Sequence, residues 1–175
     1  DVPPHEDWAG QENAAGFRVV FERAPTPRRR SSQALALVLR GDMFRGPLEF
    51  GVRCAKSIQD AIVTPAWRSA TAVDSFLSVY AGLDSYAWQH YAQPINGSIA
   101  LVSVVNRSTQ LSGIVTAIEG WRSYLGRHED AQYTAALLLR YDLHWKTDVT
   151  AYLRGARFLG EQLQEVRPLP LCASS

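Results

Sequence analysis

Two residues near the end of a predicted strand are of types that could carry chemistry. Asp142 and His144 are two positions apart, so in an extended chain their side chains point to the same side. A carboxylate can orient an imidazole for general base catalysis, and the two groups together can hold a metal ion. The alternative is a polar strand face turned to water or to another subunit. We favour that alternative, which predicts no catalytic residue and no metal ligand here.

Two charged runs are further candidates for binding. His128, Glu129 and Asp130 could bind a hard cation through their carboxylates, but a polar loop explains them more simply. Arg28, Arg29 and Arg30 form the main basic run, and they are the predicted RNA contact because arginines neutralise phosphates. The alternative is an exposed loop that its charge keeps soluble.

Aromatic residues are concentrated in two connections between predicted strands. Such side chains can stack on sugars or bases, fill a core, or anchor a subunit interface. We predict a subunit interface or core packing for them. The predicted interface residues are Tyr86, Trp88, Tyr91, Trp121 and Tyr124.

The sequence contains none of the local motifs that most specifically mark an enzyme. The patterns GxSxG, HExxH, GxGxxG and the Walker loop are absent from the 175 residues. Two cysteines make neither a disulfide framework nor a four-cysteine zinc site. A net charge of +1 gives no molecule-wide field that would attract nucleic acid or an anionic membrane. We therefore expect no enzyme, no cofactor and no metal.

Hydrophobic periodicity favours strands over most of the chain. Tyr133 to Trp145 is the clearest strand, because every second residue from Tyr133 is apolar or aromatic and the other face becomes polar toward its end. Residues 56–63 could form a short helix that stops before Pro65, and residues 156–166 could form a short amphipathic helix or an extended arm. The predicted strands include 17–22, 34–39, 48–54, 67–80, 99–105, 111–118, 133–145 and 149–153.

About eight short strands separated by turns predict an all-β fold. The pattern is typical of an eight-stranded antiparallel jelly-roll β-sandwich with short helices in its loops. The domain is predicted at 17–155, between an irregular N-terminal arm at 1–16 and a C-terminal arm or tail at 156–175. No signal peptide is visible, and the initial Asp1 is compatible with excision from a longer precursor.

The centre of the chain resembles the small coat proteins of plant picorna-like viruses. Pro65 to Ser69 reads Pro-Ala-Trp-Arg-Ser and precedes the strand Val73 to Tyr80, and a second aromatic cluster precedes Ile99 to Val105. The resemblance implies a polyprotein-derived capsid subunit. It would assemble with copies of itself and with sister coat proteins into an icosahedral shell around RNA. The implied location is the virion, and the host cytoplasm during assembly.

Two other functions fit the same pattern. A trimeric receptor-binding jelly roll of the cytokine type would use the aromatic connection, and glycosylation at Asn96 or Asn106 would favour it. A cupin-like metal enzyme or a carbohydrate-binding module would be built around Asp142, His144 and the aromatic residues. Cupin-type sites, however, typically pair two histidines on one strand.

Overall fold

One five-stranded mixed sheet forms the centre of the molecule. The computed structural model describes residues 16–26, 33–44, 46–80, 87–105 and 110–146, without the side chains of 110–112. The strand order is β1-β4-β3-β2-β5, in which β1 is antiparallel to β4 and the other neighbouring pairs are parallel. The strands are β1 (Phe17–Glu22), β2 (Ala34–Gly41), β3 (Ala72–Tyr80), β4 (Ile99–Val105) and β5 (Ala135–Arg140).

Helices connect the parallel strands, as parallel pairing requires a crossover between one strand and the next. A continuous helical segment runs from β2 to β3 and contains α1, one π-helical stretch and α2. A short helix and a 3-10 helix precede β4, and one long helix joins β4 to β5. The helices are α1 (Leu48–Ile58), the π-helix Gln59–Val63, α2 (Thr64–Arg68), α3 (Trp88–Tyr91), the 3-10 helix Gln93–Ser98 and α4 (Gln110–Arg127).

The sheet is covered on both faces, and each face has its own hydrophobic core. On β2, Leu35, Leu37 and Leu39 pack with residues of α1, the π-helix and α3. Ala36 and Val38 point to the opposite face, where they pack with residues of α4. A strand that is covered on both sides reads as a continuous apolar run, and the sequence predicts this for β2.

The all-β jelly-roll prediction is wrong. The described chain is a mixed α/β domain with four α-helices, and its strands are mostly parallel. The strands predicted at 17–22, 34–39 and 99–105 are confirmed, and the strand expected from Trp67 begins at Ala72. The strand at 149–153, the short helix at 156–166 and both predicted arms lie outside the described residues, apart from Gly16 at the edge of the N-terminal arm.

Residues 48–54 form a helix and not the predicted strand. The alternation of Leu48, Phe50, Val52 and Cys54 is incidental, because Leu48 is 42% exposed while Gly51, Cys54, Ala55 and Ile58 are buried. These buried positions follow the helical spacing of three, four and seven residues. The helix also passes the predicted stop before Pro65. A new α-helical turn starts at Thr64, and proline is tolerated in a first turn because its missing N–H is not needed there.

Residues 111–118 and most of 120–130 belong to α4, although a strand and a loop are predicted there. The strand prediction covers 111–118, but Val115 within it is 52% exposed. The buried side of α4 carries Gly113, Thr116, Ala117, Gly120 and Tyr124, at helical spacing. Packing against the sheet overrides the local strand preference.

The long strand predicted at Tyr133 to Trp145 is shorter, because β5 ends at Arg140. Its predicted core face is confirmed between 135 and 141. Leu137 and Leu139 pack against the core and Tyr141 is buried, whereas Leu138 on the other face is 43% exposed. No helix in the described part of the chain is long and apolar enough to cross a bilayer.

Candidate anion site at the carboxyl edge of the sheet

The helices that connect the parallel strands leave the carboxyl edge of the sheet on both faces. From β2 the chain crosses to β3 through α1 on one face, and from β4 it crosses to β5 through α4 on the other face. α1 leaves the carboxyl end of β2, whereas α4 leaves the carboxyl end of β4 and enters β5 at its amino end. The described crossovers therefore diverge between the neighbouring strands β3 and β4. Open α/β sheets bind their ligands in the crevice outside the carboxyl ends of the strands, and β2 and β5 both end at this edge.

The same four-residue pattern ends both strands at this point. β2 ends in Leu39-Arg40-Gly41-Asp42 and β5 ends in Leu139-Arg140-Tyr141-Asp142. The strands pair in parallel with Leu39 opposite Leu139 and Arg40 opposite Arg140. The Tyr141 backbone N–H donates to the Arg40 carbonyl at 2.8 Å, which extends the parallel pairing of the two strands by one residue.

Arg140 is held by the carboxylate two residues later. Its Nε donates to Oδ1 of Asp142 at 2.9 Å, and its Nη2 donates to Oδ2 at 2.6 Å. The Asp142 side chain is only 5% exposed, and that of Arg140 is 30% exposed. The hydrogen bond to Asp142 raises the pKa of Arg140, while partial burial opposes the rise. Because the side edge of the guanidinium faces Asp142, its end edge, formed by Nη1 and Nη2, has N–H groups left for another acceptor.

Arg40 is the cross-strand neighbour of Arg140 and lies on the same face. It is half-buried, and it makes no ion pair with any residue that the structure describes. Neighbouring strands are about 4.8 Å apart, and like charges placed directly opposite each other destabilise a sheet. Asp142 pairs with Arg140, and no described carboxylate pairs with the Arg40 guanidinium.

Glycine at position 41 permits this arrangement. Its φ of +129° is one that side-chain-bearing residues rarely adopt, and a Cβ there would lie 3.0 Å from Oδ1 of Asp142. Asp42 follows, and its Oδ1 accepts the backbone N–H of Phe44 at 3.2 Å in a local turn. The turn after β2 therefore leaves room for the carboxylate that fixes Arg140.

Tyr80 brings a hydroxyl to the same edge from the neighbouring strand. It is the last residue of β3, and its charge interaction is a minor cause of the raised pKa of Arg140. A Cβ at Gly113 in the first turns of α4 would lie 2.9 Å from the Tyr80 hydroxyl. The start of α4 therefore packs closely over Tyr80, beside the two arginines.

A second polar cluster lies at the amino edge of the parallel strands, around the carboxylate of Asp74, which already accepts several hydrogen bonds. Asp74 is fully buried and accepts hydrogen bonds from Arg23 at 3.1 Å, from the Thr26 hydroxyl at 2.6 Å and from the Tyr133 hydroxyl at 2.9 Å. These contacts join the segment after β1, the start of β3 and the segment before β5. The cluster is structural, because its donors are used in holding these segments together.

The structure separates the residues predicted to form an interface. Trp88 and Tyr124 are in the cores on opposite faces of the sheet, 2% and 0% exposed, while Tyr91 and Trp121 are half-buried. Tyr86 and the predicted RNA contacts Arg28, Arg29 and Arg30 lie outside the described residues.

The charged candidates have different surroundings. Asp142 is committed to Arg140, and His144 is exposed, so the structure does not show the two acting as a pair. His128 contacts Glu22 at 2.9 Å, and Arg127 binds the same carboxylate. Within the described ranges, no group of three potential metal ligands occurs.

Sequence reasoning missed Arg40 and Arg140 although a signal was present. The repeated Leu-Arg-X-Asp at the ends of two apolar runs marks two similar strand ends, which only a parallel sheet brings side by side. Comparison with protein-family models, with characterised proteins and with solved structures gave no match to this chain.

Proposed function

We propose that this domain binds a small molecule through a phosphate-type oxyanion at the carboxyl edge of the sheet, between β2 and β5. The observation that carries the proposal is the in-register pair Arg40 and Arg140 at the carboxyl edge, where Asp142 pairs with Arg140 and not with Arg40. Arginine matches phosphate oxygens with paired N–H donors, which makes it well suited to such an anion.

Asp142 serves as a positioning residue in this proposal. Asp142 accepts hydrogen bonds from Nε and Nη2 of Arg140 and so holds the guanidinium in one orientation. The remaining N–H groups of Arg140 therefore point in a fixed direction before a ligand binds. Preorganisation of this kind reduces the ordering cost of binding. Arg40 then contributes a guanidinium without an ion pair among the described residues, and binding an anion reduces the repulsion between the two neighbouring cations.

The viral coat-protein function remains a prediction without a structural observation in its favour. It was inferred with a jelly-roll fold, and the sheet described here replaces that fold. Closed shells seen by negative-stain electron microscopy of the purified protein would support it. The predicted lack of enzymatic activity also remains to be tested.

Titration calorimetry with inorganic phosphate and pyrophosphate tests the proposed function. We expect saturable binding to the unaltered chain. Arg40→Gln and Arg140→Gln should each weaken binding by about tenfold or more, because a hydrogen bond to a charged group contributes roughly 1.5–3 kcal/mol. Arg122→Gln is the matched control, since Arg122 lies on the exposed side of α4 and pairs with Glu119. Binding that is absent for both anions, or unchanged in the two crevice variants, would refute the proposal.

A further inference from the structure

A second concave site lies on the other side of the segment that follows β5. It is a pocket of about 270 Å³ between the end of α1, the π-helix and the residues after Asp142. We call it the Trp145 pocket. It is lined by Arg53, Lys56, Ser57, Asp60, Ala61, His144, Trp145 and Lys146.

Positive charge is in excess in the Trp145 pocket. Its single carboxylate, Asp60, pairs with Lys56 at 2.9 Å, and both of these side chains are well exposed. Arg53 and Lys146 make no ion pair with any other described residue. His144 adds a ring with two nitrogens that can exchange hydrogen bonds with a ligand. The polar groups of the pocket are therefore suited to oxyanions more than to cations.

The walls of the pocket are joined to each other and not merely adjacent. The Ser57 hydroxyl donates to the Cys54 carbonyl at 2.7 Å and accepts the Trp145 backbone N–H at 2.9 Å. This links the segment after β5 to the last turn of α1. Trp145 also packs against the core, which restricts the position of its indole ring. The wall formed by Ser57 and Trp145 is therefore in place before a ligand binds, which reduces the ordering cost of binding there.

The π-helix shapes the other wall. Asp60 and Ala61 lie in the five-residue π-helix that interrupts the segment between α1 and α2. Short π-helical insertions are rare and occur frequently at functional sites. With Ala61 and the indole of Trp145, the pocket has an apolar side next to its basic side.

We infer that the Trp145 pocket binds a small organic anion, with its oxyanion at Arg53 and Lys146 and its flat apolar part against Trp145. The volume is close to the lower end of the range for ligand pockets, so it fits a phosphate or carboxylate bearing one ring. The inference is independent of the proposed function, because none of its residues belongs to the Arg40–Arg140 crevice.

The test follows the indole N–H signal of Trp145 by NMR during titration with phenyl phosphate, inorganic phosphate and phenol. Trp145→Phe assigns the signal among the five tryptophans. We expect a saturable shift with phenyl phosphate, a weaker affinity for inorganic phosphate, and no saturation with phenol. Arg53→Gln and Lys146→Gln should each raise the dissociation constant of phenyl phosphate about fivefold or more, because each removes one cation from the anion.

Two matched variants separate the sites and guard against general charge effects. Arg40→Gln removes the crevice cation and should leave the Trp145 titration unchanged, as should Arg122→Gln on α4. A Trp145 signal that does not respond to phenyl phosphate overturns the inference. So does a response of the same affinity in Arg53→Gln and Lys146→Gln, because it would show that these cations hold no ligand.

Discussion

At the scale of single residues, the buried Asp74 carboxylate accepts hydrogen bonds from three other residues of the described structure. Asp74→Asn removes the negative charge that Arg23 contacts and sets an amide among hydrogen-bond donors. Breaking one side of a buried ion pair costs several kcal/mol. Because Arg23 is 29% exposed, water reduces this cost, and we expect a loss of about 2–3 kcal/mol in the free energy of unfolding.

Urea denaturation of the two proteins measures that loss. The matched control is Asp60→Asn, because the Lys56–Asp60 pair is exposed on both sides and should contribute less than about 0.5 kcal/mol. If Asp74→Asn were no more destabilising than Asp60→Asn, the cluster at the amino edge would not be a structural anchor.

Gly41 couples backbone conformation to the candidate anion site. Gly41→Ala must strain a φ of +129° and place a Cβ 3.0 Å from Oδ1 of Asp142. We expect the strain to cost about 1–3 kcal/mol of stability, and the displaced carboxylate to weaken phosphate binding by releasing Arg140. Urea denaturation and calorimetric titration measure the two effects.

Gly16→Ala separates strain from site disruption. Gly16 also has a positive φ, +74°, but a Cβ there would meet nothing within 4 Å. This control should lose stability and keep its affinity for phosphate. Equal phosphate affinities in Gly41→Ala and the unaltered chain would contradict the role given to the turn after β2.

At the scale of elements, the close contact between α1 and α3 depends on a missing side chain. A Cβ at Gly51 would lie 2.3 Å from Cδ1 of Tyr91, which is too close for any real contact. Gly51→Ala should therefore force α1 and α3 apart and destabilise the domain by about 1–3 kcal/mol, the usual cost of overpacking. Gly126→Ala is the opposite case, because nothing lies within 4 Å and alanine is the better helix former.

Thermal denaturation of these two variants should distinguish them by the midpoint. Gly51→Ala is expected to lower it and Gly126→Ala to leave it unchanged or raise it slightly. A midpoint for Gly51→Ala equal to that of the unaltered chain would show that α1 and α3 can separate without cost.

The elements also show what the sequence could and could not predict. Strands β2 and β4 are predictable, because dense apolar stretches of six and seven residues, with one serine in β4, suit a sheet covered on both faces. Helices α1 and α4 were missed in part because their buried sides include Gly51, Gly113 and Gly120, which carry no hydrophobic signal. In α1 a helical signal was present, because Cys54, Ala55 and Ile58 lie at helical spacing. Small residues are required where a helix packs closely on a neighbour, and this requirement is visible only in three dimensions.

At the scale of the whole molecule, strand pairing determines which residues meet. Arg40 and Arg140 are one hundred positions apart in the sequence, and they become neighbours because β2 pairs with β5 in parallel. In the predicted antiparallel sandwich, nothing indicates that the two Leu-Arg-X-Asp patterns lie side by side. The candidate site therefore could not be predicted together with that fold class. The Trp145 pocket depends in the same way on the segment after β5 reaching α1.

The stability of the whole domain should depend on alkaline pH through Tyr141. Burial raises the pKa of Tyr141 well above its ordinary value, and its hydroxyl donates to the Tyr91 carbonyl at 2.6 Å. The folded state therefore keeps this proton after the unfolded state has lost its own. The stabilisation is fully present below the ordinary tyrosine pKa of about 10 and decreases above it, by up to about 1.4 kcal/mol per pH unit.

Urea denaturation at pH 8, 10 and 11 of the unaltered chain and of Tyr141→Phe tests this dependence. The variant should lose about 1 kcal/mol at pH 8 with its hydrogen bond and show a smaller decrease above pH 10. Cys54 contributes in the same direction from about pH 9, because burial, and to a lesser extent the nearby Asp142, raise its pKa. The comparison at pH 10 and 11 isolates Tyr141, since both proteins retain Cys54. Parallel decreases in the two proteins would show that Tyr141 ionises without unfolding the core between β5 and α1.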